Sequence, residues 1–220
     1  WRWFLPDMDR TFKLSDIGSD RFDDIMNDDA LADRLKNQPI FKARLAQRYS
    51  AHVESTFDAT RIADIVDTLG AVITPELTRH KAKWSGSIDP AEQAVDLQEI
   101  KDYADQRKAG VHPEISATLG LDPYIIVTLA VTGSGSFSFE GIPVIPGDMR
   151  IFPDLDASIK AVPAPGFVFD SWTGLTGGAS TTLNIPGAQT ITANFVPASG
   201  TVTGGTLATN TSFTAAGSPY

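Results

Sequence analysis

The sequence changes character near residue 123, and this change constrains the fold more than any other feature. Upstream, Lys, Arg, Asp and Glu are frequent, and apolar residues recur with the 3.6-residue period of a helix. Downstream, Gly, Thr, Ser and Pro dominate, only Arg150 and Lys160 carry a positive side chain, and the apolar period falls to two. Pro123 also prevents a helix from continuing across the change. The sequence therefore predicts an α+β multidomain chain, with a helical region at residues 1–123 and a small all-β module at residues 124–197.

Apolar residues four positions apart define the first long predicted helix. Phe41, Leu45, Tyr49, Val53 and Phe57 fall on one helical face, and we expect that face to be buried. A second helix is predicted from Asp58, with an expected buried side formed by Ile62, Ile65, Val66, Leu69 and Val72.

Gly, Pro and capping residues predict where the later helices begin and end. Gly70 is expected to weaken the second helix, and residues 74–76 read as a new start, with Thr as the N-cap and Pro at the first helical position. Residues 89–92 have Asp as an N-cap and Glu three positions later, which is close to a capping box. That helix is expected to end at Gly110, and a last short helix is predicted for residues 112–120.

Beyond residue 123, apolar and polar residues alternate between Gly and Pro turn signals that recur about every eight to twelve residues. Residues 198–220 are rich in Thr, Gly and Ala, and read as a linker or as the start of a further β domain, such as a β-helix. The predicted strands are Ile125–Thr132, Ser136–Glu140, Ser158–Pro163, Val168–Trp172, Thr181–Ile185 and Thr190–Val196.

Composition excludes several classes of function. The net charge of −9 and the pI near 4.7 argue against binding to nucleic acid or to anionic membranes. No apolar run reaches the roughly 20 residues of a membrane helix, and the absence of cysteine excludes thiolate metal sites. We therefore expect a monomer that is not inserted in a membrane. The sequence begins inside an apolar strand pattern, and its last residues also stop in the middle of a sequence pattern. We therefore expect the chain to be a piece of a longer protein.

Ordered motifs in the first half resemble one family of kinases. Residues 1–12 read WRWFLPDMDRTF, an apolar, Trp-rich strand pattern that contains Asp-x-Asp. Further along come NQPIFK at residues 37–42, QRY at 47–49, TPELTRHKAKW at 74–84 and QR at 106–107. In this order the motifs resemble the secreted CotH-type (spore coat protein H-like) protein kinases. The resemblance implies that residues 1–123 form the helical C-terminal lobe of a protein-kinase-like fold.

The resemblance also implies a metal site at the amino end of the chain. Asp7 would be the main Mg²⁺ ligand, and Asp9 a second ligand or a residue that holds the loop. Mg²⁺ and ATP would then be the cofactors of the intact parent, which would phosphorylate Ser or Thr of a protein substrate. Where the family has Phe-Gly after the aspartates, this chain has Phe12-Lys13. Taken alone, Asp-x-Asp is weak evidence for a metal site, and a solvated turn after a strand is the more common explanation of such a short motif.

Other parts of a kinase have no counterpart in this sequence. The chain contains no Gly-rich loop and no His-Arg-Asp-like motif, and in the family the phosphate-binding lysine and the catalytic base precede Asp-x-Asp. No catalytic residue is therefore assigned within the chain. We expect this piece to be inactive by itself and to bind no cofactor tightly.

The second half resembles the divergent InlB B-repeat, a bacterial surface module. The resemblance rests on GFVFDSWTG at residues 166–174 and on ITANF at residues 191–195. It implies a secreted or cell-surface protein, with a protein substrate or a cell-surface partner. Trp172 is either an exposed residue that stacks on sugars or part of the small β core, and we expect it in the core.

The sequence is also compatible with a second class of function. The parent is either an extracytoplasmic kinase or a non-catalytic surface or adhesive protein that uses a kinase-like lobe as a scaffold. A phosphate-binding lysine upstream of residue 1 would favour the kinase, and its loss would favour the scaffold.

Overall fold

The computed structural model describes residues 12–84 and 89–198, and it confirms a helical region followed by a small all-β module. Most of the predicted segment 198–220 lies outside these ranges. A 3₁₀ turn, Leu14–Asp16, precedes the first helix, and a π-helical turn, His52–Thr56, directly follows the third. The helices are α1 (Arg21–Asp28), α2 (Ala30–Leu35), α3 (Pro39–Ala51), α4 (Ala59–Lys83) and α5 (Pro90–Leu119).

Aspartate side chains cap α1, α2, α4 and α5. Asp20, Asp29 and Asp58 each accept hydrogen bonds from backbone N–H groups in the first turn of the helix that follows. Asp89 does the same for α5, and the Glu92 carboxylate accepts the Asp89 N–H at 3.1 Å. The predicted capping box is therefore confirmed. Several acidic residues of the first region stabilise helix ends that would otherwise leave N–H groups unpaired.

The predicted break in the second helix is wrong, because α4 runs through Pro75 without interruption. Proline has no N–H to donate to the carbonyl of Ala71, four residues earlier. The Thr74 hydroxyl donates to the neighbouring Gly70 carbonyl at 2.8 Å, so one carbonyl of that turn gains a side-chain partner. Leu77, two residues beyond the proline, is buried, so the helix is still packed against its neighbours after this point.

The predicted end at Gly110 is also wrong, because α5 continues through Gly110 and Pro113. An ion pair between Arg107 and Glu114 joins the turns on either side of this segment. The helix ends at Gly120, whose φ of 59° is the left-handed conformation that suits glycine. The two helices predicted here are thus one.

Burial along the two predicted apolar stripes is only partial. The helix α4 packs mainly against α5, so just one narrow side of it is covered. No helix in the described part of the chain combines the length and apolar content required to cross a membrane. Among the stripe residues Val53 and Val66 are buried, whereas Tyr49, Phe57, Ile65, Leu69 and Val72 are exposed.

The β module is a sandwich of two four-stranded sheets. One sheet has the order β4-β1-β8-β6 and the other β3-β2-β5-β7. All pairs are antiparallel except β1 with β8, which is parallel. The strands are β1 (Ile125–Thr132), β2 (Gly135–Phe139), β3 (Ile142–Val144), β4 (Gly147–Ile151), β5 (Ala157–Pro163), β6 (Phe167–Thr173), β7 (Ser180–Leu183) and β8 (Gln189–Pro197).

The sequence did not predict β3 and β4. Glu140 and Gly141 form the two-residue connection between β2 and β3, with φ of 49° and 77°. Such a turn usually shows Asn-Gly or Asp-Gly, so Glu-Gly gave no clear signal. Pro143 lies inside β3, which is tolerated because β3 is an edge strand.

Two apolar cores hold the molecule together. The first fills the sandwich and includes Ala51 from α3. The second lies among α1, α3 and α5 and includes Phe152, which directly follows β4. Each core therefore includes a buried residue from the other region.

Candidate functional site

The two predicted metal ligands, Asp7 and Asp9, lie outside the described residues. Phe12, three positions after Asp9, is the first residue that the structure describes. Its φ of 63° is unusual for a bulky side chain. Among residues 12–84 and 89–198, no group of three or more His, Asp or Glu side chains is arranged to hold a metal ion.

A cavity of about 240 Å³ lies beside Phe12, between the start of the described chain and the helices α1, α3 and α5. Aromatic rings form much of its wall. Phe12 meets Tyr103 edge to face, with ring centres 5.5 Å apart, and Tyr49 meets Phe22 in the same way at 5.3 Å. The other apolar lining residues are Val53, Phe57, Ile62, Ala104 and Val111.

Three cationic side chains line this cavity, and each is paired with a carboxylate. Lys108 lies 2.8 Å from Glu54, and Arg21 lies 3.3 Å from Asp24. The third is Arg107, which binds Glu114 through both terminal nitrogens and also donates to two backbone carbonyls, those of Ile17 and Ser19.

The state of charge in the cavity follows from these contacts. The hydrogen bond to Glu114 raises the pKa of Arg107, so that its guanidinium stays charged. Tyr49 is 39% exposed, but partial desolvation of its hydroxyl raises its pKa, so the group remains neutral at neutral pH. With Arg107 and Lys108 already paired with buried or half-buried carboxylates, the cavity offers an aromatic, mostly apolar surface. It suits the flat, apolar part of a ligand better than a phosphate group.

A second polar cluster lies where the helical region meets the sandwich. Glu54, in the π-helical turn, is buried and accepts from Arg150 of β4 at 2.8 Å, on the side opposite its contact with Lys108. His112 of α5 is fully buried, 3.9 Å from Glu54, and neither of its ring nitrogens has a partner. Burial lowers the pKa of His112 to about 4, so the ring is neutral at neutral pH.

Sequence reasoning did not predict this cluster. Its members are 58 and 96 residues apart along the chain, counted from Glu54 to His112 and to Arg150. No short motif links them. The one available signal was the isolated Arg150 in a module that has few charges.

Trp172 lies in the sandwich core, as predicted. Only 8% of it is exposed, it stacks near Phe137, and its indole N–H donates to the Gly178 carbonyl at 2.9 Å. With its face covered and its polar edge satisfied, it is not available to stack on a sugar.

Two family models match the chain, in the same order as its two structural regions. The model described as CotH kinase protein matches residues 1–111, and the model described as Divergent InlB B-repeat domain matches residues 127–199. These matches define the class: a kinase-like helical lobe joined to a β module of a surface-repeat type. Because the first match spans half of the sequence, the chain belongs to the CotH kinase family. No curated protein and no solved structure matched the chain.

Proposed function

We propose that this chain is the helical part of an atypical protein kinase that acts outside the cytoplasm. Its parent would transfer phosphate from ATP to Ser or Thr of a protein substrate. The observation that carries the proposal is the family match over residues 1–111, a range that includes the Asp-x-Asp motif. The aromatic cavity next to Phe12 also supports the proposal, because its wall suits the flat base of a nucleotide.

In this proposal Asp7 is the main Mg²⁺ ligand, and Asp9 either adds a second oxygen or holds the loop. Carboxylate oxygens are the ligands that Mg²⁺ prefers. When bound, the metal would neutralise charge on the nucleotide phosphates. The described residues support this role in part, since an extended chain of three residues, the separation of Asp9 from Phe12, spans at most about 11 Å. The cavity wall at Phe12, Tyr49 and Tyr103 would then receive the flat base of the nucleotide.

The proposal includes inactivity of the 220-residue chain by itself. Phosphoryl transfer needs cations that are free to bind phosphate and a residue that positions the attacking hydroxyl. In the described cavity Arg107 and Lys108 are held by carboxylates, and Arg21 forms an exposed pair with Asp24. The sequence also contains no Gly-rich loop and no His-Arg-Asp-like motif. The purified chain should not turn over ATP in the presence of Mg²⁺, and ATP turnover would contradict this part of the proposal.

The surface-repeat match supports a secreted or cell-surface location for the parent. The substrate or partner is then a protein met outside the cytoplasm, and the acidic net charge gives no reason to expect nucleic acid.

The test uses the intact parent protein, with ATP, Mg²⁺ and a general protein substrate. Asp7→Ala should lower phosphorylation at least about a hundredfold, because the metal would lose its main ligand. Asp64→Ala is the matched control, since Asp64 is an exposed carboxylate on α4, and it should leave the rate unchanged.

Two results would contradict the proposal in different ways. Full activity of the Asp7→Ala parent would remove the metal role of that residue. An inactive parent would favour the alternative, a non-catalytic surface or adhesive protein with a kinase-like scaffold.

A further inference from the structure

The segment between the two family matches, residues 112–126, is packed into the core that the helices share with Phe152. It is not a polar linker. His112, Ile115 and Leu119 are buried on α5, and Leu121 and Tyr124 pack against the same core. Flexible linkers are polar and make few contacts, so this segment has the opposite character.

The α3 helix and the π-helical turn cover one open side of the sandwich. That side is formed by the edge strands of both sheets, β3 and β4, and α3 contacts β3, β4 and β5 while the π-helical turn contacts β3. Ala51, at the end of α3, is fully buried in the sandwich core. Edge strands left open invite pairing with other chains. Here the helical region covers them.

A buried glutamine side chain links α3 to the backbone just after β4. The Gln47 amide donates to the Phe152 carbonyl at 2.8 Å, and its oxygen accepts the Phe152 N–H at 3.2 Å. It also donates to the Leu155 carbonyl at 3.3 Å. Separation of the two regions would leave these backbone groups to find other partners, which is costly wherever they stay buried.

A buried charge network crosses the same boundary. Glu54 belongs to the helical region, and its carboxylate binds Lys108 of α5 and Arg150 of β4. Removing one partner of a buried pair is strongly destabilising, because the remaining charge is left uncompensated. The rings of Tyr124 and Phe152 lie 5.3 and 6.0 Å from the His112 ring and close the network on the apolar side.

We infer that the β module is a permanent structural part of the kinase-like lobe, so that α3 and the sandwich unfold as one cooperative unit and the module keeps one fixed orientation. The surface that binds the module is α3 together with the π-helical turn, and the partner that fits it is the β3–β4 side of the sandwich. The two family matches mark two sequence patterns, but only one folding unit. This inference does not depend on phosphoryl transfer.

Native-state hydrogen exchange of the whole 220-residue chain, in increasing but subdenaturing urea, tests the inference. Backbone amides of α3 and of the central strands β2 and β5 should converge on one opening free energy and one urea dependence. An opening event that exposes β5 while α3 stays protected, or the reverse, would overturn the inference.

A pair of neighbouring variants on α3 adds an independent test. Gln47→Ala should speed exchange in both α3 and β5 by the same factor, roughly ten- to a hundredfold, because it removes the amide bridge from a buried site. Arg48→Ala changes an exposed residue and should alter neither. If Gln47→Ala speeds exchange in α3 alone, the two regions are energetically separate and the inference is wrong.

Discussion

Glu54 and His112 lie side by side in the interior and differ in their partners. The Glu54 carboxylate is paired with two cations, since Lys108 and Arg150 each lie 2.8 Å from it. His112 has no hydrogen-bond partner, and the positive charges of Arg150 and Lys108 add to the effect of burial, although Glu54 partly opposes them. The imidazole is therefore held neutral, and protonation would place a further cation in a dry site.

This arrangement predicts a loss of stability in mild acid. The pKa of His112 is about 4 in the folded protein and about 6.5 in the unfolded chain. The unfolded chain therefore binds more protons between these values, and stability falls as the pH drops from 6.5 towards 4. The full effect is about 3 kcal/mol in the free energy of unfolding. His112→Phe removes the titrating ring and should reduce the loss between pH 7 and pH 4.5, measured by urea unfolding, by about 2 kcal/mol, the part of the effect that falls in this range.

The control for this comparison is His80→Gln, because His80 is exposed on α4. It should leave the pH dependence of unfolding as it is in the unmodified chain. A His112→Phe protein that loses as much stability in acid as the unmodified chain would show that His112 is not the residue responsible.

At the scale of elements, sequence reasoning predicted the capped starts of α4 and α5 but was wrong about breaks inside these helices. The side chains of Asp58 and Asp89 act locally on the next turn, so their capping role can be predicted from neighbouring residues alone. Pro75, Gly110 and Pro113 were predicted to break helices, yet α4 and α5 continue through them. Packing between long helices outweighs these local preferences, and packing is not visible in a short window of sequence.

The strands also show that contacts between distant elements cannot be read from a short window of sequence. All six predicted strands were found, because their alternation of apolar residues follows from one buried face. The short strand β3 contains Pro143 and β4 begins at Gly147, and both residues favour turns when they are read from sequence. Contact with α3 covers both strands, and no local pattern predicts that contact.

The turn between β1 and β2 makes a prediction at this scale. At Gly133 φ is 81°, and an added Cβ would lie 2.0 Å from the Phe195 carbonyl oxygen of β8. Gly133→Ala should therefore destabilise the fold by well over the roughly 1–2 kcal/mol that a left-handed non-glycine residue costs. The measurement is the urea midpoint of unfolding.

Gly141→Ala is a matched control for that substitution. Its φ of 77° is similar, but an added Cβ would meet no atom within 4 Å. It should lower stability only by the backbone cost, about 1–2 kcal/mol. Equal losses for the two variants would show that the close approach of the turn to β8 contributes nothing.

At the scale of the whole molecule, the order of the two regions along the chain could be predicted from sequence. The packing of one region against the other could not. Both family patterns were recognisable from motifs within each region, at residues 74–84 and 166–174 for example. The contacts that join the regions, such as Gln47 with Phe152, connect residues 105 positions apart. The predicted metal ligands Asp7 and Asp9 lie outside the described residues and remain predictions.

The most direct test of one shared structure is differential scanning calorimetry of the 220-residue chain at pH 7. A single cooperative unit gives one heat-absorption peak, with a calorimetric enthalpy about equal to the van't Hoff enthalpy. We predict this result. Two resolved peaks, or a calorimetric enthalpy about twice the van't Hoff value, would contradict the account, since the helical lobe and the β module would then melt independently.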